Sequence, residues 1–274
     1  MGVPNLRGKD ALASVYTADD FLRGLRENGW DPGAVPQGVI FTYGGIDPLC
    51  AAQPDLFAMN PMLGPAPGRF FTANSTDSKV GICCMGIGAP AVAAQMEVLV
   101  ALGVQEFLSL GTAGGLHPDQ SIGDVLVLTG AVRDEGVSYH YVAPNVTVEP
   151  DESMSDALRN GLTGAGFSVS AGTTWTTDAP YRQTADEIAH YRDGGVLTVE
   201  MEAAALFAVA ATRRVRIGSA VVLDGVFGNP ISAPRMDTAT AFGRLGLPRR
   251  HRRTRPASDV EHARAQICRS ALDR

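Results

Sequence analysis

Short apolar runs recur along this chain, separated by helix-length stretches and by turns rich in Gly, Pro and Asn. Residues 39–43 read as a first strand, followed by the turn Gly44-Gly45-Ile46-Asp47-Pro48. Residues 51–78 read as loop, and 79–85 suit a buried strand. Residues 90–102 predict a helix: Pro90 sits in the first turn, where proline is tolerated, and Gly103 closes it. Met96, Leu99 and Val100 then share one face. Residues 106–110 predict a third strand running into the small-residue loop Gly111-Thr112-Ala113-Gly114-Gly115, and 125–129 a fourth. Residues 154–166 are amphipathic and helical, 168–175 strand-like, 184–192 a polar helix and 195–199 a buried strand. The run after Glu202 suits a helix, because alanine and leucine are strong helix formers. Residues 217–223 are a buried strand ending at Asp224, and 237–245 predict a helix.

Apolar strands alternating with helices indicate an α/β fold, with a mixed central sheet flanked by helices. Residues 1–245 read as a single domain. From Gly246 the pattern changes: RRHRRTR at 249–255 opens a basic C-terminal tail, 246–274, with a short helix at 262–271. Such a run is a solvated tail or binds an anion or an acidic partner.

In sheets of this kind, ligands bind beyond the carboxyl ends of the strands. Three polar clusters fall there: Gly111-Thr112, Glu200-Met201-Glu202 and Asp224. Two acids at a strand-to-helix junction suit gripping a polar group. They equally suit helix capping, worth about 0.3–1 kcal/mol. The convergence of three clusters moves Glu202 toward the gripping role, while Glu200 keeps both readings.

Two further segments carry polar and aromatic groups together. RDEGVSYHY, 133–141, is a ligand-facing strand exit or a surface hairpin with a satisfied His140. TTWTTDAPYRQT, 173–184, sets Trp175 and Tyr181 beside Thr177, Asp178 and Arg182, a mixture suited to stacking a flat heterocycle and reading its edge. It also contains an ordinary helix entry, since Thr184 and Glu187 fit a capping box. The glycines of LSLGTAGGL let backbone N–H groups approach an anion, or simply make a tight turn.

Composition narrows the partners. The chain has 274 residues, 45% hydrophobic and 19% charged, as expected of a globular protein. A net charge of -6 opposes nucleic-acid binding by bulk electrostatics. Cys83 and Cys84 sit in an apolar run like buried thiols, and the four cysteines show no zinc spacing, so no metal is expected. A reducing, cytoplasmic compartment fits. The N-terminus lacks the apolar core of a signal peptide, and no apolar run approaches the ~18 residues of a membrane span.

LSLGTAGGLHPDQSIGDVLVL, RDEGVSYHY, GTTWTTDAPYR and TVEMEAAALFAVA, in this order and spacing, resemble the purine and uridine phosphorylase family, which includes nucleosidases that use water. The resemblance covers roughly 39–242. It implies a three-layer α/β sandwich or distorted barrel, assembled as dimers or hexamers of identical chains, that cleaves N-glycosidic bonds of nucleosides. It implies no cofactor, with phosphate as co-substrate. By position, Met201 packs on the ribose and Glu202 binds its hydroxyls, with Glu200 and His140 beside them. Gly111, Thr112, Ala113 and Gly114 hold phosphate. Trp175, Thr177, Asp178, Tyr181 and Arg182 line the base pocket. Asp224 protonates a purine ring nitrogen, assisted by Arg235.

Several residues depart from the family pattern. Serine stands at 109, where phosphorylases of the family carry a phosphate-binding arginine. The first loop reads GGIDPLC, without its usual arginine. Leu223 replaces a common serine, and the family's N-terminal histidine is missing. The arginine-rich tail also differs from the family's usual C-terminal helix. These departures weaken the phosphate site and keep two alternatives open: a nucleosidase with water as the nucleophile, and a nucleoside-binding paralogue without catalysis. Arg69, Arg133 or a neighbouring subunit would supply a replacement cation. A purine is favoured because a pyrimidine offers Asp224 no equivalent ring nitrogen, and because Arg182 directly precedes Gln183, unlike the Gln-x-Arg spacing of uridine phosphorylases.

Overall fold

The computed structural model describes residues 6–43, 57–59, 70–73, 80–227 and 235–236. The expectations placed on the Gly44–Pro48 turn, Arg69, the helix at 237–245 and the basic tail lie outside these residues.

Among the described residues, ten strands form one mixed sheet: β1 (Gly38–Tyr43), β2 (Phe57–Met59), β3 (Phe70–Ala73), β4 (Val80–Met85), β5 (Glu106–Gly115), β6 (Val125–Asp134), β7 (Val169–Thr177), β8 (Thr198–Glu200), β9 (Arg216–Val226) and β10 (Arg235–Met236). The helices are α1 (Ala18–Glu27), α2 (Ala89–Ala101), α3 (Glu152–Gly164), α4 (Ala185–Asp193) and α5 (Ala203–Arg213). The sheet order is β10-β9-β6-β7-β8-β5-β1-β4-β3-β2, and β9 also pairs with β5. Strands β5, β9, β6, β7 and β8 therefore close on one another as a small distorted barrel. Strands β1, β4, β3 and β2 extend from β5 as an open wing.

Period-two alternation fills both faces of the sheet. Phe41, Cys83, Phe107 and Val221 pack on one side with α2 and α5, while Ile40, Ile82, Leu108 and Val222 pack on the other with Met154, Leu158 and Leu162 of α3. Helix α5 is buried along its whole run from Ala203 to Ala210. A helix apolar on every face suits that position, and small alanines let it approach α2 closely.

Three differences from the sequence reading have clear causes. The stretch 51–78 contains β2 and β3, whose short runs are diluted by Pro and Gly. Helix α1 was not anticipated; its Thr17–Asp20 capping box carries it on a largely polar surface. The Gly111-Thr112-Ala113-Gly114-Gly115 segment is strand, not loop, and completes β5.

That last difference shapes the site. One edge of β5 pairs with β9 from Glu106 to Gly115. The other edge is shared: β1 covers Glu106–Leu110, and β8 covers only Gly114 and Gly115. Between them, Gly111, Thr112 and Ala113 face a split where β1 and β8 diverge. Opposite, the β5–β9 register skips Asp224, so that residue forms a β-bulge. Bulges re-aim a side chain and are concentrated beside active sites.

Glycine at 114 is a packing requirement. A Cβ there would lie 1.9 Å from the Phe227 ring. Gly114→Ala should cost on the order of 1–3 kcal/mol, lowering the thermal midpoint, and Phe227→Ala in the same chain should recover part of the loss. An unchanged midpoint for Gly114→Ala would contradict this packing.

Candidate active site

The split in the sheet is bordered by the ends of β1 and β8, and β9 runs along the opposite edge of β5. Strand β8 stops at Glu200, and a two-residue bend through Met201 and Glu202 leads into α5. Glu200, Glu202 and Asp224 are all buried, and Met201 is half-buried.

Glu200 is fully engaged by the protein. Its Oε1 accepts from Thr176 Oγ1 at 2.5 Å, and its Oε2 accepts from the N–H groups of Glu202 and Ala203, both at 2.7 Å. Thr176 Oγ1 accepts in turn from Ala204 N–H at 3.0 Å. Of the two readings left open by the sequence, the geometry gives Glu200 the capping one.

Glu202 occupies the N-cap position of α5, yet its side chain makes no cap hydrogen bond to that helix. It reaches across to α2, where Oε1 accepts from Gly88 N–H at 2.6 Å. Gly88 has φ 99, a left-handed conformation that favours glycine. Burial, with the negative charge of Glu200 second, pushes the Glu202 carboxyl from 4.5 up to about 8. Burial also raises the carboxyl of Glu200, against the pull of its hydrogen bonds.

On the β1 side, the Tyr43 hydroxyl lies 2.8 Å from Ser109 Oγ. Its ring covers Gly111, where a Cβ would meet it at 3.0 Å. Burial, followed by the charge of Glu202, holds this phenol well above its ordinary range, so it stays neutral. On the β9 side, burial raises the Asp224 carboxyl, opposed by a hydrogen bond with Thr112. Backbone pairing places Arg235 of β10 opposite Val226, two residues beyond Asp224.

Two groupings result: Glu200 and Glu202 at the β8–α5 junction, with the Tyr43 hydroxyl near them, and Asp224 hydrogen-bonded with Thr112 where β9 bulges from β5. Other expected site residues fall elsewhere. Trp175 is buried on the face of β7 opposite to Thr176; its ring lies against Tyr191, tilted 35° with centroids 4.5 Å apart, and its N–H donates to Asp134 at 2.9 Å. That ring is a core element with no open face for a base. Tyr181 is 98% exposed in the 3-10 turn Pro180–Arg182, which also carries Arg182. Thr177 is buried and accepts from Ala179 N–H. Asp178 accepts from Gly136 N–H at 2.8 Å and ties the two polar segments together. His140 lies exposed at the end of a 3-10 turn, its Nδ1 2.5 Å from Lys9 Nζ. That turn is capped by buried Glu135, which accepts from the N–H groups of Val137 and Ser138.

Arg133 does not replace a phosphate arginine. Its Nε donates to Ser138 Oγ, one terminal nitrogen to the carbonyls of Ala143 and Val146, and the other to the carbonyl of Val142. It also lies 4.3 Å over the Tyr139 ring. Arg133 is the clamp of the 137–146 loop. Ser109 is likewise committed to Tyr43. Tyr43 and Gly88 lie beside the two acids and were not signalled by the motifs, whereas Thr176, expected in the base-pocket segment, bonds Glu200 instead. The usable signals were the strand-exit position of Tyr43 and the glycine immediately before the α2 N-terminus. Among the described residues, no cluster of three His, Cys, Asp or Glu side chains could hold a metal ion, and no helix is long and apolar enough to cross a membrane.

Comparison with known proteins identifies the family. The family described as Phosphorylase superfamily matches residues 47–244. A guanosine phosphorylase of Halorubrum lacusprofundi is 32% identical over 171 residues, covering 62% of this chain and 71% of that protein. Uridine phosphorylases of Treponema pallidum and Escherichia coli are 31% and 30% identical over 166 and 151 residues. These two matches cover 57% and 50% of this chain, and 64% and 60% of the relatives' own lengths.

The raised Glu202 carboxyl has a consequence for stability. A group protonated more readily in the fold stabilises it below its unfolded value, and that contribution is lost as pH rises through the folded value. The window here runs from 4.5 to about 8. Glu202→Gln should therefore raise the thermal midpoint relative to the parent at pH 8.5 and change it little at pH 4.5. A difference independent of pH would refute the buried, proton-holding carboxyl.

Proposed function

The chain belongs to the phosphorylase superfamily, and we propose that it is a nucleoside phosphorylase acting on purine nucleosides. Phosphate attacks C1′ of the ribose as the N-glycosidic bond breaks, and the bonding electrons leave with the base. A proton from Asp224 reaches a ring nitrogen of that base. The products are the free base and ribose 1-phosphate. The observation that carries the reading is the bulge at Asp224, which turns a buried acid, its carboxyl raised by burial, toward Thr112 of β5.

Each role follows from the chemistry. Bond cleavage builds positive charge on the sugar and negative charge on the base. Glu202 is held by the N–H groups of Gly88 and Met201, its carboxylate binds the ribose hydroxyls, and Met201 packs on the sugar. An ionised Glu202 favours the oxocarbenium-like state more than the ground state, which is what accelerates the step. The strand edge at Gly111, Thr112 and Ala113 receives the phosphate. Asp224, with Arg235 two residues past it in register, serves the base, and a donor there is worth about 10²–10⁴-fold. Thr177 and Asp178 border the base side. A guanosine phosphorylase among the relatives is consistent with a purine, while the uridine phosphorylases keep the base a matter for experiment. Assembly of identical chains in the cytoplasm belongs to the same proposal and is checked by sedimentation and cell fractionation.

A panel of purine and pyrimidine nucleosides, assayed by product analysis with and without phosphate, tests the reading. Purine turnover that yields ribose 1-phosphate and stops without phosphate is expected. One observation favours water instead: Ser109 and Arg133 are both engaged internally, so neither presents a cation to phosphate. Equal turnover without phosphate would establish that hydrolytic reading. Glu202→Ala should lower kcat/KM by about 100-fold or more, as loss of a contact made in the transition state does, with the fold intact by circular dichroism. Asp224→Asn should harm purines more than pyrimidines. Equal losses on both would remove its role at the base.

A further inference from the structure

We propose that Glu200 is a positioning residue that holds Glu202 in place and sets its charge, without touching the sugar. The kinetic tests rest on the phosphorylase reading; the stability test below does not. The argument begins at the N-terminus of α5, whose first N–H groups need acceptors. An N-cap side chain ordinarily supplies one by folding back onto its own helix. Here Glu202 is the N-cap, but the N–H groups of Glu202, Ala203 and Ala204 are already taken, two by Glu200 and one by Thr176. The Thr176 hydroxyl also donates to Glu200, so acid and hydroxyl lock each other. The Glu202 carboxylate has no work left on its own helix and is free to cross to Gly88 N–H on α2. Strand β8 thus carries one acid that caps, so that the next can face a ligand.

The same arrangement places two carboxylates on either side of one half-buried methionine. Glu202 is faced by Glu200 from β8 and by the neutral Tyr43 hydroxyl from β1, and Glu200 in turn by Glu135 from the segment after β6. Asp224 stands on the far edge of β5. The charge of Glu200 favours a proton on Glu202, and burial acts in the same direction.

Glu200→Gln in the full chain separates charge from shape, since glutamine keeps an acceptor for the α5 N–H groups. Its nucleoside KM should stay within about threefold of the parent, and the acid limb of kcat/KM should move to lower pH by about one unit. Glu200→Ala should lower kcat by about 100-fold through misplacement of Glu202. Thr176→Val should reproduce part of that loss, and Thr176→Ser should restore it. A tenfold rise in KM for Glu200→Gln with an unmoved acid limb, vanishing on a nucleoside that lacks one ribose hydroxyl, would show direct sugar contact and overturn the proposal. A test without substrate compares thermal midpoints at pH 5 and 8.5: the decline of the parent should shrink in Glu200→Gln. Equal declines overturn the electrostatic half of the proposal. If the parent turns over no nucleoside, the functional reading fails while this comparison still decides the positioning role.

Discussion

Two buried carboxylates close together must be solvated by something, and here the solvent is backbone. Glu200 receives the first N–H groups of α5, and Glu202 receives the N–H of Gly88 at the head of α2. Among the described residues, no lysine or arginine contacts either acid. An isolated buried carboxylate is costly, and fixed N–H donors at helix N-termini offset part of that cost. The solution constrains much around it. Strand β8 must end where α5 begins, α2 and α5 must pack closely, and residue 88 must tolerate a left-handed backbone. The alanine-rich face of α5 permits that approach, so a composition bias in one helix serves a charge problem at its end.

The sheet supplies the second half of the site by failing to pair. Strands β1 and β8 cover the same edge of β5 without meeting, which leaves Gly111, Thr112 and Ala113 uncovered between them. The partner edge is continuous except for the one residue that bulges, Asp224. A regular ladder in this region would bury the backbone groups and turn Asp224 along the strand. Closure of β5, β9, β6, β7 and β8 into a barrel fixes both irregularities, because each strand is held from two sides. The candidate site residues therefore sit at defects in an otherwise regular sheet.

This division explains what was legible in the sequence. The strands carry period-two apolar patterns, so Ile40 and Phe41, or Val221 and Val222, announce a sheet buried on both faces. The order of elements and the junction at Glu200-Met201-Glu202 followed from that pattern. The match of four segments to a known family added the roles. What sequence could not carry was direction. Trp175 and Thr176 are adjacent and equally suggestive, yet the pleat sends one into the core against Tyr191 and the other to Glu200. Arg133 looked like a free cation because its four carbonyl and hydroxyl acceptors lie in a loop that folds back over it. Gly111 to Gly115 read as a loop because small residues signal turns, whereas here they admit the rings of Tyr43 and Phe227. The split edge of β5 is a property of three strands distant in sequence, and no local pattern encodes it.

The charge balance of the crevice follows from the same contacts. Ser109 and Tyr43 present neutral hydroxyls, and the guanidinium of Arg133 is turned to its own loop. An anion entering beside Glu200 and Glu202 therefore meets two carboxyl groups before any cation among the described residues. Repulsion is least when one of these groups holds a proton, and the raised carboxyl of Glu202 makes that state accessible near neutral pH. Within the phosphorylase reading, admission of the anion and stabilisation of the ribosyl cation ask opposite things of Glu202. The first is helped by its proton and the second by its charge. Burial and the charge of Glu200 push the proton onto Glu202, and the N–H groups of Gly88 and Met201 oppose them, so the same contacts that position the acid also set the balance between its two states.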